Sequence, residues 1–328
     1  MHEGLSVVIP NYNGAGLFPF TLPTVFRALE RAGLPYEVLV VDDASTDDSL
    51  SFLSINFPEA VVLTSESNKG FSVTANRGMA AARFDLVLLL NSDVKLEPDY
   101  FRSQFRYFEQ PDTFGVMGRI VGWNDEVIQD GAKYPSFHNA KIKTSKNYLL
   151  EDRNEMSKGL YTSYLSGANA LIDKNKFLEL GGFNELFSPF YVEDFELSLR
   201  AWRLGYKCWY DHDSVCRHKT STSIRSKSRK DYIKMVSLRN KWFVHAIHLE
   251  PFRLFLWGLQ TSGEILLQLL LMKKYYAQAL GAFIKNYRGV SRSRTQLKQF
   301  AQDRRLLSVH EVADLIHATV KDKKIKFF

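Results

Sequence analysis

The sequence predicts an α/β fold with a mostly parallel, doubly wound sheet, and three observations support this. Short apolar runs alternate with helical patterns over about the first 90 residues. The run Leu86–Leu90 is apolar throughout, as in a strand that is covered on both faces. Polar residues follow four successive strands directly. Because ligands bind at the carboxyl ends of strands in such sheets, we expect one binding edge there.

The alternation can be followed element by element. We predict strands at 5–10, 36–41, 60–64 and 86–90, with helices at 16–32, after 45, and at 71–83. Gly33 and Pro35 end the first helix, and Ser45 or Thr46 begins the second. The turns after these strands carry the candidate ligand-binding residues Pro10, Tyr12, Asp42, Asp43, Asn68, Lys69, Asn91, Ser92 and Asp93.

The pattern is less regular after the fourth strand. We predict a helix at 97–108, a strand at 114–122 and a long polar, irregular segment at 124–159, interpreted as a mobile flap or an acceptor-side insertion. An apolar segment with small residues at its centre follows at 163–173. The remaining predictions are helices at 174–180 and 194–204 and a last strand that leads to His218.

The turn after the fourth strand carries the first candidate chemistry. The Asp93 carboxylate and the Asn91 amide oxygen are ligand types that a hard divalent cation prefers. No GxGxxG or GxxxxGK[ST] motif occurs at the strand ends, which disfavours dinucleotide-dependent oxidoreductases and P-loop ATPases. Without a glycine-rich loop, any bound diphosphate needs another source of positive charge, and a metal at Asp93 would supply it.

Glu193 and Asp194 are the second candidate centre. They fall at the N-terminus of the predicted helix at 194–204, so we expect the helix dipole and free backbone N–H groups to keep a carboxylate ionised. Glu196 and Arg200 are spaced i,i+4, which fits a surface ion pair as well as a role in the site.

Composition and charge limit the other possibilities. Two cysteines, Cys208 and Cys216, are too few for a disulfide framework, so we expect a reducing compartment. Residues 1–6 show no basic region followed by an apolar one, so we expect no signal peptide. The net charge is +7, but residues 217–305 contain 19 basic and 4 acidic residues, a local excess of +15. Apolar helices with basic neighbours at 250–294 suit an anionic membrane surface. A packing domain or a homodimer interface explains them nearly as well.

Nine separated motifs resemble the inverting glycosyltransferase family 2, which has the GT-A fold, a Rossmann-like architecture. Within it, the chain is most similar to rhamnosyltransferase-like bacterial cell-surface glycan enzymes. The motifs cover residues 5 to 220 and lie at 8–13, 40–45, 68–71, 76–78, 89–93, 166–169, 181–183, 193–196 and 217–218.

The resemblance implies a division into a catalytic domain at 1–220 and a basic, partly amphipathic helical extension at 221–328. It implies that Asp194 is the catalytic base and that Asp93, with His218, binds Mg²⁺ or Mn²⁺. Pro10 and Tyr12 would line the nucleobase pocket, Asp43 would contact the base, and Asn91 stands where the family has an acidic residue. The other implied donor contacts are Asp42, Asn68, Lys69, Asn76 and Ser92, and the implied acceptor-side residues are Gly167, Asn169, Phe183 and Tyr191.

We therefore expect a hexosyl- or deoxyhexosyltransferase that uses a nucleoside-diphosphate sugar. Its acceptor would be lipid-linked or a polysaccharide, at the cytoplasmic face of the membrane, with no nucleic-acid partner. Residues 219–230 could close over the diphosphate. The alternative is a catalytically inactive protein that binds the nucleotide sugar.

Several residues also have plainer explanations. Asp42, Asp43 and Asp194 could be helix caps, and Asp93 a surface turn residue. His218 could be an ordinary strand-end histidine. Glu193 could be the base in place of Asp194.

Overall fold

The first half of the chain alternates strands and helices as predicted. The computed structural model describes residues 3–219, 227–302 and 304–328; the side chains of 144, 145 and 227–229 are not described. Most of the segment at 219–230 thus lies outside the described residues. The first elements are β1 (Leu5–Asn11), α1 (Phe18–Ala32), β2 (Tyr36–Asp42), α2 (Ser49–Asn56), β3 (Val61–Thr64), α3 (Phe71–Ala81) and β4 (Leu86–Leu90).

These strands form the parallel half of the sheet. β1 pairs in parallel with β2 and with β4, and β2 pairs in parallel with β3. Every residue of β4 is buried, because helices cover both faces of the sheet. The carboxyl ends of β1, β2 and β4 consequently meet at one edge, as the sequence predicts.

The second half extends the same sheet with antiparallel strands. Its elements are β5 (Val94–Leu96), β6 (Thr113–Gly122), β7 (Ile128–Asp130), β8 (Ala132–His138), β9 (Lys141–Leu150), α4 (Arg153–Ser157), β10 (Leu160–Tyr161), β11 (Asn169–Asp173), α5 (Lys174–Glu179), α6 (Glu193–Arg203) and β12 (Lys207–His218). β11 lies antiparallel between β4 and β6, and β12 runs parallel to β6. Among the described residues the sheet order is β10-β12-β6-β11-β4-β1-β2-β3.

The helix predicted at 97–108 is wrong. The segment forms successive turns and a short 3₁₀ helix at Phe105–Glu109, with backbone hydrogen bonds such as Gln104 N–H to Phe101 O. The adjacent side chains of Tyr100 and Phe101 are both buried. Tighter turns bury both side chains here and replace the α-helix.

The irregular segment predicted at 124–159 is also wrong, because most of it is β-structure. β8 and β9 form an antiparallel hairpin in which Phe137 pairs with Ile142. A strand from the end of the chain completes a second, three-stranded sheet. The polar composition of β9 hid it: Lys141 and Lys143 flank Ile142 in the alternation of a strand with one exposed face.

The C-terminal part is helical as predicted, except for its last strand. Its elements are α7 (Lys227–His248), α8 (Pro251–Leu270), α9 (Lys274–Lys285), α10 (Tyr287–Ala301), α11 (Val309–Ala318) and β13 (Ile325–Phe327). β13 pairs with β9, and Val312 and Ile316 of α11 share one buried apolar cluster with Val8 of β1. Both predicted parts thus contribute to a common core, and their boundary at 220 and 221 stays a prediction. No described helix is long and apolar enough to cross a membrane.

Candidate active site

Asp42 holds the turn that follows β2. One carboxylate oxygen accepts hydrogen bonds from Asn11 Nδ2 at 2.9 Å and Ser45 Oγ at 2.5 Å. The other accepts from the Ser45 backbone N–H at 2.9 Å. Asp42 is 1% exposed. The predicted donor residue therefore acts on the turn, and the geometry brings no open face of its carboxylate to a ligand.

Asp43 fixes the neighbouring loop. Its two oxygens accept the backbone N–H groups of Lys69 and Gly70, each at 2.8 Å. Gly70 has φ +85°, and a side chain there would place Cβ 2.9 Å from the Pro189 carbonyl oxygen. Glycine is thus required where this donor-side loop meets the chain just before α6. The side chains of Asn68 and Lys69 are exposed beside it.

The chain after β1 presents the exposed aromatic ring of Tyr12. Pro10 is half-buried, and the side chain of Tyr12, two residues on, is 52% exposed. Both lie at the edge where the polar turns meet, and their place in a nucleobase pocket stays a prediction.

The turn after β4 brings Asp93 to His218. Val94 N–H donates to Asn91 O at 3.2 Å and closes the turn around the half-buried Ser92. Pairing of β5 with β12 sets Val94 opposite His218, which places His218 Nε2 3.4 Å from Asp93 Oδ1. That oxygen is buried and has no hydrogen-bond partner among the described residues.

This pair fits a divalent cation. A carboxylate oxygen without a partner and an imidazole nitrogen are both ligand types for Mn²⁺ or Mg²⁺ sites that are completed by substrate phosphates. Within the described residues no group of three or more His, Cys, Asp or Glu side chains forms a cage. A metal here would therefore take most of its other ligands from a bound diphosphate or water.

Glu193 and Asp194 begin α6, as the sequence predicts. Tyr191 and Val192 before them have φ of +74° and +76°, a conformation that costs non-glycine residues roughly 1–3 kcal/mol each. Asp194 Oδ1 accepts from the Phe195 N–H at 2.8 Å, and Oδ2 accepts from the Gly167 N–H at 3.3 Å. The strained turn thus aims the Asp194 carboxylate at the loop before β11.

Burial dominates the charge state of these two groups. It raises the pKa of Asp194, against the opposing effects of the two N–H groups and of the Lys133 ammonium. Burial, followed by the Asp194 charge, raises the pKa of Glu193 to about 8. The expectation that the helix N-terminus keeps the pair ionised is corrected: its N–H groups only offset part of the cost of desolvation. At neutral pH Glu193 is mostly protonated.

Two adjacent residues join the two halves of the site. The Gly167 N–H donates to Asp194, while the Ala168 carbonyl accepts the Asn91 N–H at 3.1 Å. The turn that carries Asp93 and the buried Asp194 carboxylate are thereby bonded to adjacent residues of one short loop.

The comparison with known families decides the assignment. A family model described as Glycosyl transferase family 2 matches residues 6–181, which is more than half of the 328 residues. The chain belongs to glycosyltransferase family 2. It is a glycosyltransferase, as the motifs predict.

Curated relatives and a solved structure agree. Succinoglycan biosynthesis protein ExoO of Rhizobium meliloti is 25% identical over 252 residues, covering 75% of this chain and 69% of the relative. Chondroitin synthase of Escherichia coli is 23% identical over 237 residues, covering 63% of this chain, and the match spans only 33% of that longer protein. The structure of GalNAc-T7 with UDP, GalNAc and Mn²⁺ has a TM-score of 0.69 at 16% identity and covers 98% of this chain and 57% of that one. This likeness confirms the predicted GT-A fold.

Three predicted contacts of the glycosyltransferase are engaged internally. Asn76 binds both backbone groups of Phe183, accepting its N–H at 2.7 Å and donating to its carbonyl at 2.9 Å. Phe183 is buried against Phe71 and Phe177. Asn169 is buried and donates to Cys216 Sγ at 2.7 Å. These side chains bind or pack against other parts of the protein behind the site, and their predicted roles toward the donor and the acceptor stay predictions.

Glu196 and Arg200 form the predicted ion pair, but it is buried, so the expected surface position is wrong and a role in the site stays a prediction. Arg200 donates to both carboxylate oxygens, at 3.2 and 2.6 Å, and His248 Nε2 lies 3.2 Å from one of them. Burial alone would raise the pKa of Glu196, but the Arg200 charge and His248 lower it to about 2. The cluster ties α6 to α7.

Two residues that act on the Asp194 region lie in segments where no sequence pattern singles them out. Lys133 of β8 is 7% exposed and its charge opposes the rise in the Asp194 pKa; burial lowers its own pKa to about 8. Asn240 of α7 donates to the carbonyls of Phe187, Phe190 and Tyr191 at 2.7, 3.0 and 2.8 Å. The C-terminal helices therefore hold the loop that presents Asp194. Only long-range packing brings either residue to the site.

A cleft of about 830 Å³ opens from Asp194 toward the C-terminal helices. Tyr191, which is 45% exposed, lines its mouth beside Tyr164. Residues of β9, α7, α8 and α9 form the remaining walls. Of the four predicted acceptor-side residues, Tyr191 lines this cleft, Gly167 contacts Asp194 through its backbone, and Asn169 and Phe183 are buried behind.

Proposed function

We propose that this enzyme transfers a hexosyl or deoxyhexosyl group, with inversion, from a nucleoside-diphosphate sugar to an acceptor hydroxyl. The observation that carries the proposal is the loop at Gly167 and Ala168, which hydrogen-bonds both to Asp194 and to the Asn91–Asp93 turn. Inversion requires a base on the face of the sugar opposite the leaving group. This loop brings a candidate base and a candidate leaving-group site close together.

Asp194 is the proposed base. Its carboxylate would accept the proton of the acceptor hydroxyl. Burial raises its pKa, which makes the carboxylate a stronger base than an exposed aspartate. Glu193 stays mostly protonated at neutral pH because its pKa is about 8. Asp194 thus carries the charge of the pair.

Asp93 and His218 are the proposed holders of Mg²⁺ or Mn²⁺. Such an ion, when bound, stabilises the negative charge that develops on the departing nucleoside diphosphate. GalNAc-T7, which shares the fold, was solved with UDP and Mn²⁺. Asn91 in place of an acidic residue leaves one charge fewer on this chain, so we expect a weakly held ion. On the donor side, Pro10 and Tyr12 would receive the nucleobase, and Asp42 and Asp43 would keep the surrounding turns in place.

Release of nucleoside diphosphate from a panel of UDP-, GDP- and dTDP-sugars, with Mn²⁺ or with EDTA, tests this assignment. The wild-type chain is expected to turn over one donor, and Asp93→Asn to lose most of the turnover. Glu59→Gln, an exposed carboxylate that precedes β3 at the end of the sheet away from the binding edge, is the matched control. Tight donor binding without turnover across acceptors would instead support the alternative of an inactive nucleotide-sugar-binding protein.

The acceptor is proposed to be lipid-linked or a polysaccharide, in bacterial cell-surface glycan synthesis. ExoO is named for the biosynthesis of succinoglycan, a relationship that supports this class. α8 exposes Phe252, Leu266 and Leu270 by 70%, 63% and 73%, and Lys273 and Lys274 follow it. An apolar face with basic neighbours suits the anionic, cytoplasmic face of a bilayer.

Flotation with vesicles separates this membrane contact from a homodimer interface. We expect binding to vesicles that contain anionic lipid, weaker binding to neutral vesicles, and loss of binding in Leu266→Glu/Leu270→Glu. The opposite result would show that α8 is a subunit interface: the wild type binds neither vesicle type and sediments as a dimer, and the variant sediments as a monomer.

A further inference from the structure

The cleft below Asp194 has an unusual combination of walls. Aromatic side chains line it from three helices: Trp242 of α7, Trp257 of α8 and Tyr275 and Tyr276 of α9. Aromatic rings and a nearby base suit a sugar acceptor, because sugars present apolar faces as well as hydroxyls. The proposed function does not account for the charged groups among them.

Four lysines line the same cleft. Lys141 and Lys143 come from β9, and Lys234 and Lys241 from α7. Lys141 is paired with Glu264, and Lys234 lies 3.4 Å from Asp231. In the part of the chain that the structure describes, no carboxylate lies within ion-pair distance of Lys143 or Lys241. The cleft therefore contains cationic charge that the protein itself leaves without a counter-charge.

The cationic groups also act on one another. Partial desolvation, followed by the charge of Lys143, lowers the pKa of both Lys141 and Lys241. Like charges that are gathered in a partly desolvated cleft cost free energy unless an anion joins them. A bound anion would remove this cost, so the arrangement favours an anionic ligand.

The number of lysines favours phosphate over a single carboxylate. Among the described residues that line the cleft, lysines supply all of the basic Lys and Arg side chains. Lysine binds phosphate as a point charge. Several lysines together suit a group with more than one negative charge.

α8 indicates what the phosphate is attached to. Trp257 and Glu264 of this helix line the cleft, whereas Leu259, Leu266 and Leu270 of the same helix are 60–73% exposed. A chain that leaves the cleft along α8 would meet an apolar surface.

We propose that the lysine cleft binds the phosphate or diphosphate of a lipid-carried acceptor, with Lys143 and Lys241 as its main contacts and the acceptor sugar beside Asp194. This inference rests on the proposed function and specifies its acceptor. The lipid would lie along the exposed face of α8.

Calorimetric binding of geranyl diphosphate to the full chain tests the proposal. EDTA is present throughout, so that no divalent cation bridges the probe to Asp93 and His218. We expect Lys143→Gln/Lys241→Gln to weaken binding by about tenfold or more per lysine, since each charged hydrogen bond contributes about 1.5–3 kcal/mol. Lys143→Arg/Lys241→Arg keeps the charge and should retain most of the affinity.

The controls separate charge at the cleft from charge in general. Lys298→Gln/Lys321→Gln removes two exposed lysines elsewhere and should bind like the wild type. Lys143 and Lys241 are themselves at the surface of the cleft, and each single substitution is measured beside the double one in case the double variant is unstable.

The probes decide between sources of the anion. Geranyl diphosphate is expected to bind more tightly than inorganic pyrophosphate, and both more tightly than a glucuronate disaccharide or octyl glucoside. Equal affinities for geranyl diphosphate and pyrophosphate would support the phosphate site and overturn the lipid contact. Preference for the glucuronate disaccharide, or equal binding by the wild type and the Gln double variant, would overturn the phosphate site. Turnover of a donor by the wild type in the separate nucleotide-release assay would show that the proposed function stands in either case.

Discussion

Two glutamates three residues apart on α6 have opposite environments. Both Glu193 and Glu196 are buried. Glu193 has a carboxylate oxygen without a hydrogen-bond partner among the described residues, and its pKa is raised to about 8. Glu196 binds Arg200 and His248, and its pKa is lowered to about 2.

The comparison separates catalysis from stability within a single helix. At Glu196 the charge of the buried Arg200 offsets the cost of burying the carboxylate, so the pair contributes to the structure. At Glu193 and Asp194 the cost of burial is only partly offset, which leaves unfavourable energy at the start of α6, next to the cleft. Incomplete compensation of this kind beside a cleft is typical of a functional site.

The largest expected effect is on the chemistry of Asp194. Asp194→Asn keeps the size of the side chain and removes the proposed base, so transfer should fall by roughly 10³-fold, in the range found for general bases. Donor binding, measured by thermal shift with Mn²⁺, should stay close to that of the wild type. Undiminished turnover would place the base elsewhere, with Glu193 the first candidate.

The next effect is on stability. Glu196→Gln leaves the buried Arg200 charge without a partner, so the free energy of unfolding at pH 7 should fall by roughly 3–5 kcal/mol in a urea titration. Glu179→Gln, which breaks the half-exposed pair with Arg304, is the matched control and should cost under about 1 kcal/mol. Similar losses in both variants would refute the distinction.

The same cluster predicts the response to acid. The Glu196 pKa is lowered on folding, so its stabilisation is present above the unfolded value of 4.5 and is lost as the pH falls toward 2. The pKa of His248 falls from 6.5 to about 4 because of burial, so acidification through that interval also favours unfolding. Unfolding free energy should therefore decline between pH 6.5 and 2, and more shallowly in Glu196→Gln.

Glu193→Gln should have the opposite sign. Because folding raises the Glu193 pKa, the group's contribution is fully present below pH 4.5 and is lost as the pH rises through about 8. The variant removes that loss, and we expect it to be more stable than the wild type at pH 9. Donor turnover should persist. A variant that is inactive yet folded would identify Glu193 as the base.

The smallest effect concerns Lys133. Lys133→Gln removes a charge that lowers the Asp194 pKa, so the acidic limb of the pH–rate profile should move to higher pH. Turnover on that limb should fall, with little change at the optimum. Lys133→Arg should restore the profile, and Lys146→Gln on the same hairpin should leave it unshifted. An unchanged profile in Lys133→Gln would show that Lys133 only packs the hairpin.

Local pattern was enough for the donor half of the molecule. The strands β1 to β4, the turns at their ends and the start of α6 follow from apolar runs, turn residues and helix periodicity, which act over a few residues. The resemblance added the family, and the pairing of Asp93 with His218 agrees with the structure. The predictions for 97–108 and 124–159 were wrong because adjacent aromatic residues and alternating lysines form ambiguous local patterns.

What the sequence determined by itself is therefore the parallel fold, its binding edge and the identity of the carboxylates. Tertiary structure alone decided their charge states, because a pKa depends on burial and on partners such as Lys133, Arg200 and His248 that are distant in sequence. It also decided that Asn76 and Asn169 support the site from behind, and that Asn240 of the C-terminal helices holds the loop before α6. Periodicity reports which face of an element is buried, but not which residue of another element lies against it.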